Sequence, residues 1–477
     1  MTNVSALLLM LCLSGSVLVV QPAAGQDSPV RLSETYELAN IILALTDYGK
    51  TDPWEVAQQS AYYREVRAYF DRHSNHPLLG RVNYSRQGWA SYLSFRTDAY
   101  VFAFDSANHL IRRVDFKANS GFNPFEENLT FVEDFVKVTG FRQFYRDHFP
   151  YYQALARAYL RSQRYPEMLH FLETEFGKHP GVTAYAMVLS PLVGRMNCHR
   201  RVAGVETDFS TLPNFLLTGQ TAQPASEEEV ASGTHMLFTE LDHGFVNPIT
   251  EAHKALVGQK FNADQWDKAS GYNTDSLSVF NEYMTWGVYD LFVEQYFPTV
   301  PEKVRTDWTL QNESRGFYAS SLFTDELRHL YKAKKGKVPL KDLYPALLTR
   351  LSKIQGTLRQ PTIVSCNLDK VEIADSAARF IVRFSEPMHE LNSFDIVGAT
   401  DQKGGVQQRH RLSKSANQIG WSANGTILTF NRILRSGFTN YTAFTVPWGR
   451  GTVINLKSRQ GLNLPLTTVI TTTVLKK

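Results

Sequence analysis

From about residue 30 to residue 178, apolar side chains recur at three- and four-residue spacings, which predicts a mainly helical region. Tyr36 to Leu45, Val56 to Phe70, Phe131 to Tyr145, Tyr152 to Tyr159 and Met168 to Phe176 carry the pattern, and Gly177 supplies a helix stop. Val182 to Leu189 then reads as a strand. Arg201 to Glu206 is expected to pair with it, across a loop holding Pro191 and Gly194. Ser226 and Glu229 have the spacing of a capping box, and helical patterns dominate from there to Ile354.

The pattern changes near Arg359-Gln360-Pro361. Beyond it, short alternating runs are separated by turn residues. Arg379 to Phe384, Ile427 to Phe430 after the Asn424-Gly425 turn pair, Tyr441 to Val446 and Val453 to Leu456 are expected strands, and Thr400 to Ser415 an expected polar loop. The spacing suggests a small antiparallel sandwich. The expected division is therefore a leader over 1–25, a helical domain with a small sheet over 26–358, and an all-β domain over 359–477.

One helical segment carries candidate chemistry. Leu237, Leu241 and Phe245 fall on one face, while Thr239, Glu240, His243 and Asn247 gather on another. Pro248 is expected to end the helix. An H-E-x-x-H helix binds zinc through two histidines one turn apart, with the glutamate as general base on a bound water. Here Glu240 and His243 hold the second and third of these positions, but Thr239 stands where the first histidine belongs. A neutral hydroxyl is a poor zinc ligand. Phe280 to Val293 is apolar nearly all round, so it is expected to be a buried helix. Glu282 near its start needs an ion or hydrogen-bond partner there, and a metal or a nearby arginine would each serve.

Composition narrows the context. Residues 1–26 hold no charged side chain, and their apolar stretch from Ala6 to Val20 precedes Ala23-Ala24-Gly25. This is the layout of a secretory signal peptide cleaved after Gly25, so export to the periplasm, the cell surface or the medium is expected. The rival, an uncleaved anchor, is interrupted by Ser14, Gly15 and Ser16. Leu11 before Cys12 argues against lipidation. No later run is apolar enough to span a bilayer. The formal net charge is +4 with both signs interleaved, so no nucleic-acid partner is implied. Cys198 and Cys366 are distant in sequence and read as separate thiols. His199 beside Cys198 has no second ligand at metal spacing and reads as incidental, and His148 reads as structural.

The segment around Glu240 resembles a family of exported bacterial zincin-like proteins of unknown function, of gluzincin type. Its members show H-E-F-x-H, then Phe/Tyr-Val-Asn-Pro, then a helix with a third glutamate. The matching residues are Thr239 to His243, Phe245-Val246-Asn247-Pro248 and Glu282, with Phe144 to Tyr152 upstream and Arg315 to Tyr318 downstream. The resemblance implies a zinc-peptidase-like fold over about residues 120 to 355, with the strand over 182–189 near the cleft. It assigns Glu240 to the general base and His243 and Glu282 to metal ligands, and it leaves the first ligand unmatched at Thr239. Arg315, Tyr318 and Asn247 are candidate helpers, the first two for an oxyanion. The last 115 residues resemble bacterial immunoglobulin-like modules, on Phe384-Ser385-Glu386-Pro387-Met388, Gly425 to Phe430 and Leu434-x-x-Gly437-x-x-x-Tyr441.

Three readings follow. Glu240, His243 and Glu282 hold zinc or another divalent metal, with Asp242 and His235 as poorer donors, and peptide hydrolysis persists in residual or altered form. Alternatively, the chain is a pseudoenzyme that carries no cofactor and binds peptide or protein. In the third, the helical domain is a binding module on an exported scaffold.

Overall fold

The computed structural model describes residues 28–476, except 54, 86–87, 119–122, 179–183, 195–196, 219–225, 269–274, 334–337, 401–407, 445–455 and 466–467. The expected signal segment and most of the strand expected over Val453 to Leu456 lie outside the described residues. The architecture is mixed α/β, with helices dominating as far as Gln355 and strands from Ile363 onward.

The helical part is built on two apolar cores. One gathers the helix Glu34–Leu45 with its neighbours Ala61–Phe70, Trp89–Ala99 and Leu129–Thr139. The other is centred on the long helices Glu227–Ala252 and Ser276–Tyr296, packed against Tyr165–Phe176, Ser320–Ala333 and Tyr344–Gln355. Ser276–Tyr296 is buried along most of its length, as its all-round apolar sequence requires.

Between the cores runs a sheet of four strands in the order Val30–Arg31, Ala184–Leu189, Val205–Ser210, Cys198–Val202. The first three are parallel and the last is antiparallel to its neighbour. This corrects the expected pairing of Arg201 to Glu206 with the preceding strand in part: Val205 and Glu206 pair with Ala184 and Tyr185, while Arg201 and Val202 pair back on Glu206 and Val205. That segment contains a turn at Ala203-Gly204, both with positive φ, which folds 198–210 into a hairpin of its own. Chain reversal at an Ala-Gly pair is a weaker signal than the Pro191 and Gly194 that drew the expectation.

Other boundaries also shift. Phe131 to Tyr145 is divided by Gly140, whose φ of 71° is left-handed, into the helices Leu129–Thr139 and Phe141–Gln163. The helix within Val56 to Phe70 starts only at Ala61, capped by Ser60. The expected loop over Thr400 to Ser415 contains a strand, Gln408–Ser413, on the sheet edge beside Ser393–Ala399. Gly177 and the Ser226–Glu229 capping box stand where expected.

From Ile363 onward two sheets face each other across a third core. One has the order 408–413, 393–399, 439–443, 469–474, 371–373; the other has 419–421, 427–433, 377–384, 363–366. Ala377–Phe384 alternates strictly between exposed and buried positions. Phe380 stacks on Phe430 at 4.6 Å between centroids. Among the described residues no helix is long and apolar enough to cross a membrane.

Candidate functional site

The site is carried by the helix Glu227–Ala252. Its start is fixed by Ser226: the Glu229 N–H donates to the Ser226 hydroxyl and the Ser226 N–H to the Glu229 carboxylate, at 3.1 and 3.2 Å. Leu237, Leu241 and Phe245 anchor the helix in the core. The helix does not stop at Pro248 but continues to Ala252. Proline disfavours a helical residue before it, yet here burial of Val246 and Thr250 on either side holds the segment helical.

The polar face meets Ser276–Tyr296 on one side and the 198–210 hairpin on the other. His243 Nδ1 lies 3.2 Å from Asn247 Oδ1, one turn along the helix, and His243 Nε2 lies 3.7 Å from Glu282 Oε1. Glu282 in turn lies 4.0 Å from the Arg315 guanidinium, which covers the Trp286 and Phe317 rings. Glu240 accepts a 2.6 Å hydrogen bond from Asn197 Nδ2, just before the hairpin. Burial raises the pKa of Glu240; His243 pulls it back, while Asp208 and Glu282 add to the rise. Glu240, His243, Glu282, Asn247 and Arg315 therefore converge. Tyr318 does not: it is buried and its hydroxyl donates to the Gln265 carbonyl, so no oxyanion role falls to it.

Thr239 is buried, and its hydroxyl donates to the His235 carbonyl at 3.0 Å. That bond back along the helix occupies the side chain where the first zinc ligand would sit. His235 stacks flat on Trp308, with 3.5 Å between ring centroids. Burial, with Arg315 nearby, holds its imidazole neutral. Asp242 is wholly buried, both its carboxylate oxygens lack a hydrogen-bond partner among the described residues, and burial beside Glu240 and Glu282 pushes its pKa well above the ordinary range.

The hairpin supplies residues outside the expected site, and it corrects the expectation that His199 is incidental. His199 and Asp208 face each other across it, with Nδ1 and Oδ1 2.7 Å apart, and His199 Nε2 meets Glu206. Burial alone would lower the His199 pKa, but Asp208 and Glu206 raise it to about 10. Asp208 itself is pushed up by burial and pulled down by His199. Arg201 lies 3.5 Å from the same Glu206. Cross-strand pairing puts His199, Arg201, Glu206 and Asp208 on one face of the sheet. The His199 ring then lies over Gly244 of the site helix, where a Cβ would be 3.9 Å from it. The available signal was Glu206-x-Asp208, two acids at strand period in a segment that must be buried.

The residues fit a gluzincin-type zinc poorly. Zinc needs three protein donors with free lone pairs. Thr239 offers only a neutral, weakly donating hydroxyl, His199 is bound through both nitrogens to carboxylates, and Glu240 accepts from Asn197. Among the described residues no group of three histidine, cysteine or carboxylate side chains has metal-holding geometry. Cys198 and Cys366 are free thiols in different parts of the chain, and burial pushes Cys198 up to about 12. His148 bonds the Phe144 carbonyl and Glu65, a structural role. No family model, no curated protein and no solved structure matches the chain.

Proposed function

We propose that this protein is an exported zincin-like pseudoenzyme whose cleft binds an extended peptide or protein segment without zinc-dependent cleavage. The carrying observation is the Thr239 hydroxyl bonded to the His235 carbonyl, which leaves His243 and Glu282 without the third donor of a hydrolytic zinc site. Support for an extended ligand comes from the hairpin. Cys198–Val202 is the outermost strand of its sheet, packs beside the site helix and has no strand partner on its outer edge among the described residues. An edge strand can offer backbone donors and acceptors to an added strand, with Asn197, Glu240, His243 and Arg315 as candidate side-chain contacts. The apolar leader over residues 1–25 supports export, and the two facing C-terminal sheets support an immunoglobulin-like spacer.

A second reading retains a divalent metal and residual peptide hydrolysis. It is favoured by the approach of His243 and Glu282 from separate helices to 3.7 Å. Zinc would be held by His243 and Glu282, with Glu240 released from Asn197, and would supply Lewis-acid activation of water. One experiment separates the two: bound metal and peptide cleavage measured on the purified protein and on Glu240→Ala, His243→Ala, Glu282→Ala and Thr239→His. The pseudoenzyme reading expects no stoichiometric zinc except in Thr239→His. Stoichiometric zinc in the unaltered protein, lost in the three alanine variants, would overturn it.

A further inference from the structure

The C-terminal part touches the helical part through a tight loop, Leu456 to Asn463. Its base is closed within the C-terminal part by Ser458 N–H to Leu462 O at 2.8 Å, Leu464 N–H to Leu456 O at 2.9 Å and Arg459 N–H to Pro387 O at 2.8 Å. Gly461, with φ of 90°, allows the reversal. At the tip, Leu462 is buried in the core of the helical part. Lys457 Nζ donates to Ser321 Oγ at 3.2 Å. Asn463 Nδ2 donates to both oxygens of Glu313, at 2.8 and 2.7 Å, on the helix Pro301–Ser314. Asn463 is almost wholly buried, and its own side-chain oxygen, Oδ1, has no hydrogen-bond partner among the described residues.

This arrangement is half satisfied. A charged carboxylate only accepts, so it takes the amide N–H and leaves the buried amide oxygen without a donor. A neutral carboxylic acid both accepts and donates, so it closes a two-bond ring with a carboxamide. We propose that Glu313 and Asn463 form a proton-tightened latch, which clamps the C-terminal sandwich to the helical part in acid and loosens it toward alkaline pH.

The proton is taken from solvent by Glu313, and its O–H is then donated to Asn463 Oδ1. Among the described residues, the charged and titratable groups facing Glu313 are Lys457 from the docking loop and Tyr283 from the helix Ser276–Tyr296. Lys457 favours the charged form, but its ammonium is engaged by Ser321. Burial dominates and carries Glu313 up to about 7. A raised carboxyl pKa adds stability that is complete below the ordinary value of 4.5 and is lost as pH rises through 7. The latch also bears on the cleft, because Arg315, the partner of Glu282, follows Glu313 by two residues.

Hydrogen exchange on the full chain, corrected for intrinsic rates, tests this at pH 5.5 and pH 8. Amides of 456–464 and 308–316 should be protected at least about tenfold more at the lower pH. Glu313→Gln, whose amide can pair with Asn463 at any pH, should match the acid-state protection at both. Asn463→Ala should be poorly protected at both. Glu302→Gln, near Lys457 but outside the pair, should keep the unaltered pH dependence. A flat profile in the unaltered protein overturns the latch. So does an unchanged slope in Glu313→Gln or Asn463→Ala, or a lost slope in Glu302→Gln.

Discussion

His199 and Asp208 sit opposite each other on a two-stranded hairpin, nine residues apart in sequence, with 2.7 Å between imidazole and carboxylate. Glu206 holds the other ring nitrogen. The imidazolium is thus the counterion of two buried acids, and it lies against the helix that carries the candidate site.

Replacing His199 by glutamine leaves those acids facing each other, which should cost about 3–5 kcal/mol at pH 6. The His199 pKa is raised to about 10 from an ordinary 6.5, so its contribution is complete below 6.5 and lost as pH rises to 10. Denaturant titrations should show the gap between His199→Gln and the parent closing over that window. A gap independent of pH would refute the ion triad.

Asp242 makes the opposite contribution. Its carboxyl is buried with no hydrogen-bond partner among the described residues, and its raised pKa means the parent weakens as pH rises above the ordinary carboxyl range. Asp242→Asn removes the charge at nearly constant volume. Melting at pH 8 should rise by the equivalent of about 1–3 kcal/mol, with the gain shrinking toward pH 4. A variant that melts lower at pH 8 would show that the carboxylate is needed as an anion.

Sequence pattern located some of this and missed the rest for definable reasons. The capping box at Ser226, the helix stop at Gly177 and the alternation of Arg379 to Phe384 are local, and all three stand in the structure. Glu240, His243 and Glu282 were legible because helix spacing places the first two and burial singles out the third. His199 and Asp208 were not, because their pairing depends on hairpin register, and the turn at Ala203-Gly204 carries a weak signal. Pro248 misled because tertiary burial outweighed a local preference.

The second buried glutamate network lies in the other core. Tyr62 donates to Glu37 at 2.7 Å and shares a 2.6 Å hydrogen bond with Tyr152. Burial raises Glu37 to about 7, with Tyr62 and Ser190 holding it down. Tyr62→Phe should cost about 1–3 kcal/mol and raise that pKa further. Stability lost between pH 5 and pH 8 should then be larger in the variant than in the parent, as read by thermal melts. Equal losses would remove Tyr62 from the account.

Thr239→Val tests whether the hydroxyl at the missing ligand position does anything beyond bonding its own helix. Its bond to the His235 carbonyl is neutral and redundant with the helix ladder. A change in stability under about 1 kcal/mol is expected, with no change in peptide affinity by calorimetry. A large loss of affinity would make Thr239 a ligand contact.

The strand Cys198–Val202 has a wider consequence. A bare strand edge is a template for self-association, and two copies meeting there would build a continuous sheet. This edge reads Cys-His-Arg-Arg-Val, but His199 is matched by Asp208 and Glu206, and Arg201 lies against Glu206. Charge therefore does not keep two such edges apart, and pairing between copies competes with any foreign chain for this strand.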